Sequence, residues 1–478
     1  MQAIFVGLIF ISYFLSASSF PSSTGESNSV RRLQSGGTLI QLSRRGSLAD
    51  EETGLLNQEA LDAHLRYVLR KQIVGAMNYY KNTGSVLATF DMTPVQLENA
   101  YNSGTLPLVT EGTSDTSEEP IAASRLLSPA GNVTRTDRPF TIAQIAAGSP
   151  PVPMLNLGAK DLIWAAPITI GTPPKQFLVS IDTGSSDLFV ASDKCPLDQC
   201  AKKNIYTPGK SSTSTPLKRS YSISFGDGST VKADVLSDTV SMGGISIPNI
   251  GMGAVTQLSL EFQSSSGDTS DGLMGFAFPS LSQSQTTPFF TALTASDPQQ
   301  GIIGTKFVGR SVAGSELTIG GVNPASFKGQ FTTLNVLAMT GKPAAFWDVA
   351  FGGASVNGKS VTLTSTIATI DTGTSIIGVP MVDAKSIYAN IPGAISQGGG
   401  QFAFPCTALP MVSMNFGGKT FAINPLDMSI GKDKQGNCIG GIVGLNKKGV
   451  WLVGQVFLKN VYTVYDQKNF TVSFADLA

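Results

Sequence analysis

Two identical tripeptides carry the residues best suited to chemistry: Asp182-Thr183-Gly184 and Asp371-Thr372-Gly373. Each follows a short apolar run, Leu178–Ile181 or Thr366–Ile370, and each is followed by a hydroxyl residue, Ser185 or Thr374. An aspartate at a strand end followed by glycine lets the backbone turn sharply and approach a partner closely, with the carboxylate aimed outward. One such turn is ordinary. Two in matching surroundings predict a duplicated unit whose carboxyls meet across a pseudo-twofold axis. Like charges about 3 Å apart cannot both ionise, so the pair holds one proton over a range of acidic pH. One carboxylate can then deprotonate a water while the carboxylic acid donates to a substrate carbonyl, with no need of a metal or a covalent intermediate. The pair titrates as a unit, so neither aspartate is assigned as base or acid.

Other chemistries fit less well. The single histidine, His64, lies in the N-terminal segment, which leaves the later chain without a Ser-His or Cys-His pair or a histidine metal site. His64 itself reads as a solvated helix residue. The glycine clusters lack the strand-loop-helix context of a phosphate loop and read as turns. No metal or cofactor is expected.

The elements that must position the aspartates are strands. Beyond Pro151, short runs such as "QFLVSID", "YSISFGDGS" and "FWDVAFGG" alternate with Gly, Pro, Asn and Ser turns, predicting a mostly β region built as two units of ordinary domain size. Before it, "NQEALDAHLRYVLRKQIVGAMNYYK" has helical spacing at Leu61, Leu65, Val68 and Leu69. A Ser/Thr/Pro/Gly-rich tract then runs over 105–136.

At 478 residues, with 33 Lys+Arg against 33 Asp+Glu, the chain carries no strong field to suggest a nucleic acid or an acidic membrane as partner. Its apolar start, Ala3 to Leu15, followed by small residues, reads as a secretory signal cleaved near Ser19, and the C-terminus has no lipid-anchor pattern. Four cysteines suit that route. They allow three pairings, of which the local ones, Cys195–Cys200 and Cys406–Cys438, are favoured. Asn132 and Asn469 head glycosylation sequons.

The stretches "PITIGTPPKQFLVSIDTGSSDLFV", "YSISFGDGS", "DGLMGFAFPS", "ATIDTGTS" and "WLVGQVFLKNVYTVYD" together resemble the pepsin family of aspartic endopeptidases, from about Leu155 to Ala478. The resemblance implies an all-β, bilobal fold with an interlobe cleft under a flap hairpin, cleaving extended peptides. It also matches both local cysteine pairs, and the lack of a third pair leans toward the fungal or microbial branch. By position, Asp182 and Asp371 are the catalytic dyad. Thr183 and Thr372 would cross-link the two loops, Ser185 and Thr374 would bond the outer carboxylate oxygens, and Gly184, Gly373 and Gly226 would let backbone approach the scissile peptide. Phe225, Asp227 and Leu273 would line the pocket before that bond, with Asp227 and Ser229 adding an acceptance of lysine. Three positions depart from the pattern: Phe225 and Phe189 replace a hydrogen-bonded Tyr-Trp pair, and Gln455 replaces an aspartate near the second loop. Loss of both members of the pair orphans no buried donor.

The expected organisation is a signal peptide over 1–19, a propeptide over 20–150, an N-terminal lobe over 151–330 and a C-terminal lobe over 331–478. The propeptide would lay a basic residue, Arg70, Lys71 or Lys81, on the dyad. The expected protein is a monomeric acid endopeptidase made as a secreted zymogen, extracellular or in an acidic vacuole. Its partners would be protein or peptide substrates and its own propeptide, with no nucleic acid and no membrane after signal removal. A catalytically silent binding protein on the same fold would be expected to damage one Asp-Thr-Gly, and a structural wall protein leaves the paired turns unexplained.

Overall fold

The structure, a computed structural model, describes residues 48–50, 52–106, 127–129, 148–157, 161–224, 230–258, 263, 268–447 and 449–478. The signal segment, Asn132 and the flap residues Phe225, Gly226, Asp227 and Ser229 lie outside the described residues.

The repeated turns sit in duplicated scaffolds. In the first lobe the strand Lys175–Asp182 runs parallel to Gly272–Gly275, whose other edge pairs antiparallel with Leu188–Ala191. In the second lobe Ile367–Ile370 runs parallel to Val450–Val453, whose other edge pairs antiparallel with Ile377–Pro380. Each aspartate therefore ends or follows a strand and the chain turns back on the far side of one central strand. Every residue of those two central strands is buried, which explains their apolar sequences GLMG and VWLV: they are covered on both faces. The fold is the bilobal, all-β pepsin-like one.

The lobes share a platform. The strands Val152–Asn156, Ser315–Ile319, Ile302–Lys306, Val461–Asp466, Thr471–Leu477 and Phe327–Asn335 follow one another edge to edge in the largest sheet of the described residues. The expected lobe division at 330/331 falls within the last of these. Helices after residue 150 are short, such as Phe289–Ser296 and Met381–Ala389. Both local disulfides, Cys195–Cys200 and Cys406–Cys438, are formed. Among the described residues no helix is long and apolar enough to cross a membrane.

The N-terminal helix, α1 (Gln58–Thr83), begins at Asn57, whose side chain accepts from the Ala60 N–H at 3.0 Å, and ends at Gly84 in the left-handed region at φ 69°. A second helix, α2 (Pro94–Ser103), starts with a capping box between Thr93 and Gln96. α1 is not a one-faced surface helix. Leu61, Val68 and Ile73 are buried, and so are His64, Arg70, Lys71 and Gln72. The expectation of a solvated His64 is thus corrected: it is 3% exposed, and its Nε2 accepts from the Ser375 N–H at 3.4 Å, two residues past the second Asp-Thr-Gly. The polar residues look solvated in sequence because their partners come from the surrounding walls, not from α1.

Candidate active site

The structure brings Asp182 and Asp371 together at the junction of the lobes, both fully buried. Their surroundings are near-copies. Gly184 N–H donates to Asp182 Oδ1 at 2.9 Å and Ser185 Oγ to its Oδ2 at 2.6 Å. Gly373 N–H donates to Asp371 Oδ1 at 2.9 Å and Thr374 Oγ1 to its Oδ2 at 2.7 Å. The two glycines are required by the approach of the loops. A Cβ on Gly184 would stand 2.5 Å from Asp371 Oδ1, and one on Gly373 2.2 Å from Asp182 Oδ1. Thr183 and Thr372 tie the loops: Thr183 Oγ1 donates to Ile370 O at 2.9 Å and Thr372 Oγ1 to Ile181 O at 2.8 Å.

Between the carboxyls sits an ammonium. Lys71 Nζ of α1 lies 2.9 Å from Asp182 Oδ1, 2.9 Å from Asp371 Oδ1 and 2.8 Å from Asp371 Oδ2. Burial opposes its charge, but the attraction of Asp182 and then Asp371 outweighs that and holds its pKa above the ordinary lysine value. Burial also opposes the charge on both aspartates. Lys71 and the Ser185 hydroxyl nevertheless hold Asp182 below the usual carboxylate value, whereas burial and the neighbouring Asp182 leave Asp371 above it. Of the three basic residues expected as candidates, Lys71 is the one on the pair. Arg70 and Lys81 lie over the Tyr101 ring, 4.7 and 4.9 Å from its centroid.

Beside Lys71 a cavity of about 70 Å³ is lined by Asp182, Phe189, Tyr221, Leu273 and Gln283 among others. Phe189 and Leu273 share a buried cluster with Tyr67 and Val68 of α1. The Tyr221 hydroxyl is buried there without a hydrogen-bond partner among the described residues, and burial raises its pKa well above the ordinary value. Gln455 is buried under the second loop, where its backbone N–H donates to Thr374 O at 2.7 Å and its Nε2 to Thr372 O at 2.9 Å. In the turn joining the last two strands, Asn469 Nδ2 donates to Asp466 Oδ2 at 2.7 Å. Sequence reasoning missed Tyr221, which sits in an ordinary alternating strand. It also missed that Asp348 and Lys447 are buried, which no motif marks.

A bilobal β fold with two Asp-Thr-Gly turns meeting at its centre defines an aspartic endopeptidase, a hydrolase of peptide bonds. The family profile described as eukaryotic aspartyl protease matches residues 163–477, and the chain belongs to that family. It is 39% identical over 328 residues to "Aspartic protease" of Phaffia rhodozyma, covering 66% of this chain and 76% of that one. It is 30% identical over 344 residues to "Major aspartyl peptidase 1" of Cryptococcus neoformans var. grubii, covering 66% and 69%. Against "Cathepsin D" of Gallus gallus the identity is 33% over 341 residues, covering 68% and 83%.

Proposed function

We propose that Asp182 and Asp371 are the catalytic dyad of an acid endopeptidase made as a secreted zymogen. In this reading residues 1–19 are a signal, 20–150 a propeptide, and 151–330 and 331–478 the two lobes of a monomer. The observation that carries the reading is the Lys71 ammonium between the two carboxyls, with α1 filling the space a peptide would need. A cation there neutralises the pair and occupies the place of a water and a scissile carbonyl.

With α1 gone, the buried pair shares one proton. The ionised carboxylate takes a proton from water as its oxygen bonds to the peptide carbon. The protonated carboxyl donates to the carbonyl oxygen, giving a tetrahedral diol. Collapse breaks the C–N bond, the amine leaves with a proton from the carboxyl pair, and the products are a carboxylic acid and an amine. The serine and threonine hydroxyls and glycine N–H groups fix both carboxyls in position, so little reorganisation is needed at reaction.

Acid should trigger release of α1, because protonating the carboxyls removes the partners of Lys71. The test is incubation of the full chain at about pH 3 to 5 with a denatured protein, with and without a transition-state peptide inhibitor. Expected are inhibitor-sensitive cleavage of the protein and shortening of the chain by most of its first 150 residues. An active form that still begins near Phe20 would refute the propeptide.

A further inference from the structure

One buried cation in the cleft is hydrogen-bonded, among the described residues, to α1 alone. Lys447 follows the strand Ile442–Leu445, in the turn before Val450–Val453, and is 8% exposed. Its Nζ donates to Gln72 Oε1 at 3.2 Å and lies 4.9 Å from the centroid of the Phe90 ring. Among the described residues it makes no ion pair; Asp348 and Asp371 attract it from further off. Gln72 adjoins Lys71, so this acceptor stands one residue along the chain from the group between the two aspartates. The other end of the same amide, Nε2, is buried with no partner among the described residues. What this corner of the cleft holds is therefore an acceptor oxygen, not a donor.

Gln72 and Phe90 both lie in the segment assigned above as propeptide, so removing that segment takes from Lys447 its hydrogen-bond acceptor and its aromatic cover. The ammonium is then left facing the vacated cleft without the acceptor it holds here, and a substrate group that supplies one can take the place of Gln72. We propose that Lys447 is a specificity-determining residue of the mature enzyme, binding an acidic side chain of the substrate close to the scissile bond. The proposal rests on the zymogen reading. A carboxylate suits the site better than the amide it replaces, because it adds the attraction of an opposite charge to a hydrogen bond that the amide accepts without one.

The neighbouring groups support this choice. Burial lowers the Lys447 pKa to about 8, which still leaves it charged in acid. Burial raises that of Asp348, whose Oδ1 accepts from Thr369 Oγ1 at 2.5 Å, to about 6. In this α1-bound form burial thus disfavours a charged Asp348 as counter-ion, whereas a substrate glutamate, with an ordinary pKa of about 4.3, is largely ionised near pH 5. Asp371 is engaged by its own loop through Gly373 and Thr374.

The test uses the matured enzyme and peptides that differ only in carrying Glu, Gln or Leu at one of the two positions on either side of the scissile bond. kcat/KM is measured at about pH 5 for wild type, Lys447→Met and Lys447→Arg. At one position the Glu-to-Leu ratio should fall about tenfold in Lys447→Met and be largely kept in Lys447→Arg. The wild-type preference for Glu over Leu should also shrink as salt is raised, a readout that needs no variant. Equal ratios in wild type and Lys447→Met at every position, or a wild-type ratio indifferent to salt, would overturn the assignment. Cleavage of the Leu peptide is the internal control. If wild type cleaves none of the peptides, the protease-zymogen reading fails; if it cleaves them without discrimination, only the role of Lys447 does.

Discussion

Thr183 and Thr372 exchange hydrogen bonds across the lobe junction, the backbone N–H of each donating to the Oγ1 of the other at 3.0 Å. Each hydroxyl also donates to a strand carbonyl of the opposite lobe, Ile370 or Ile181. The two aspartates are thereby fixed relative to one another by groups that are themselves buried. Thr183→Val or Thr372→Val keeps the shape but strands an N–H and a carbonyl, at a cost of about 1–3 kcal/mol for each variant. Urea unfolding should register that loss, and kcat should fall more than KM rises. Unaltered stability in both variants would mean that the exchange does not hold the loops together.

A second prediction concerns Lys71 and pH. Asp182 is depressed in the α1-bound form, so its contribution to docking is present above the ordinary carboxylate pKa and is lost as pH falls through the depressed value. Lys71 is raised, so its contribution is fully present below the ordinary lysine pKa and lost only above it. The two overlap at neutral pH; toward acid it is the carboxylate side that fails, while Lys71 stays charged. Asp371 is held above the usual carboxylate value by burial, so the pair as a unit takes up a proton as the pH drops. Lys71→Met leaves buried carboxylates without a counter-charge, so conversion to the shorter chain should begin at least about one pH unit higher, while Lys71→Arg should stay closer to wild type. Gel analysis of conversion against pH checks this. A midpoint unchanged in Lys71→Met would count against Lys71 as the latch.

The parts of the site legible in sequence are those whose chemistry forces a residue type. A carboxyl at a strand end, a glycine against the opposing carboxyl and a hydroxyl one residue beyond leave little choice, and so Asp182, Gly184 and Ser185 stand out beside Asp371, Gly373 and Thr374. Which of Arg70, Lys71 and Lys81 meets the pair was not legible. Neighbouring helix residues point about 100° apart, and only the lie of α1 in the cleft selects among them. His64 misled for the same reason: a helix wrapped on several sides buries polar residues that a solvent-facing helix would expose. Lys447 carries no signal at all, since a lysine in an "NKKG" turn is normally solvated and here is met by Gln72 and Phe90, more than three hundred residues away in sequence.

Gln455 offers a third prediction. Its Nε2 donates to the Thr372 carbonyl, while its Oε1 is buried with no partner among the described residues. A carboxyl in that place must keep a proton to donate to the same carbonyl, so burial would raise its pKa. Gln455→Glu should match wild-type stability near pH 3 and lose about 1–3 kcal/mol by pH 7, because a raised carboxyl destabilises the fold as pH climbs through its ordinary value. Urea unfolding at the two pH values reads the difference. A parallel pH dependence in wild type and variant would show that the Thr372 contact does not constrain the group.

The most direct measurement compares hydrolysis of one peptide by matured wild type, Asp182→Asn and Asp371→Asn across the acidic pH range. Half of the pair cannot serve as base and acid together, so each single variant should fall below about a hundredth of the wild-type kcat, with KM changed much less. Either variant keeping more than about a tenth of the wild-type kcat would contradict the paired mechanism.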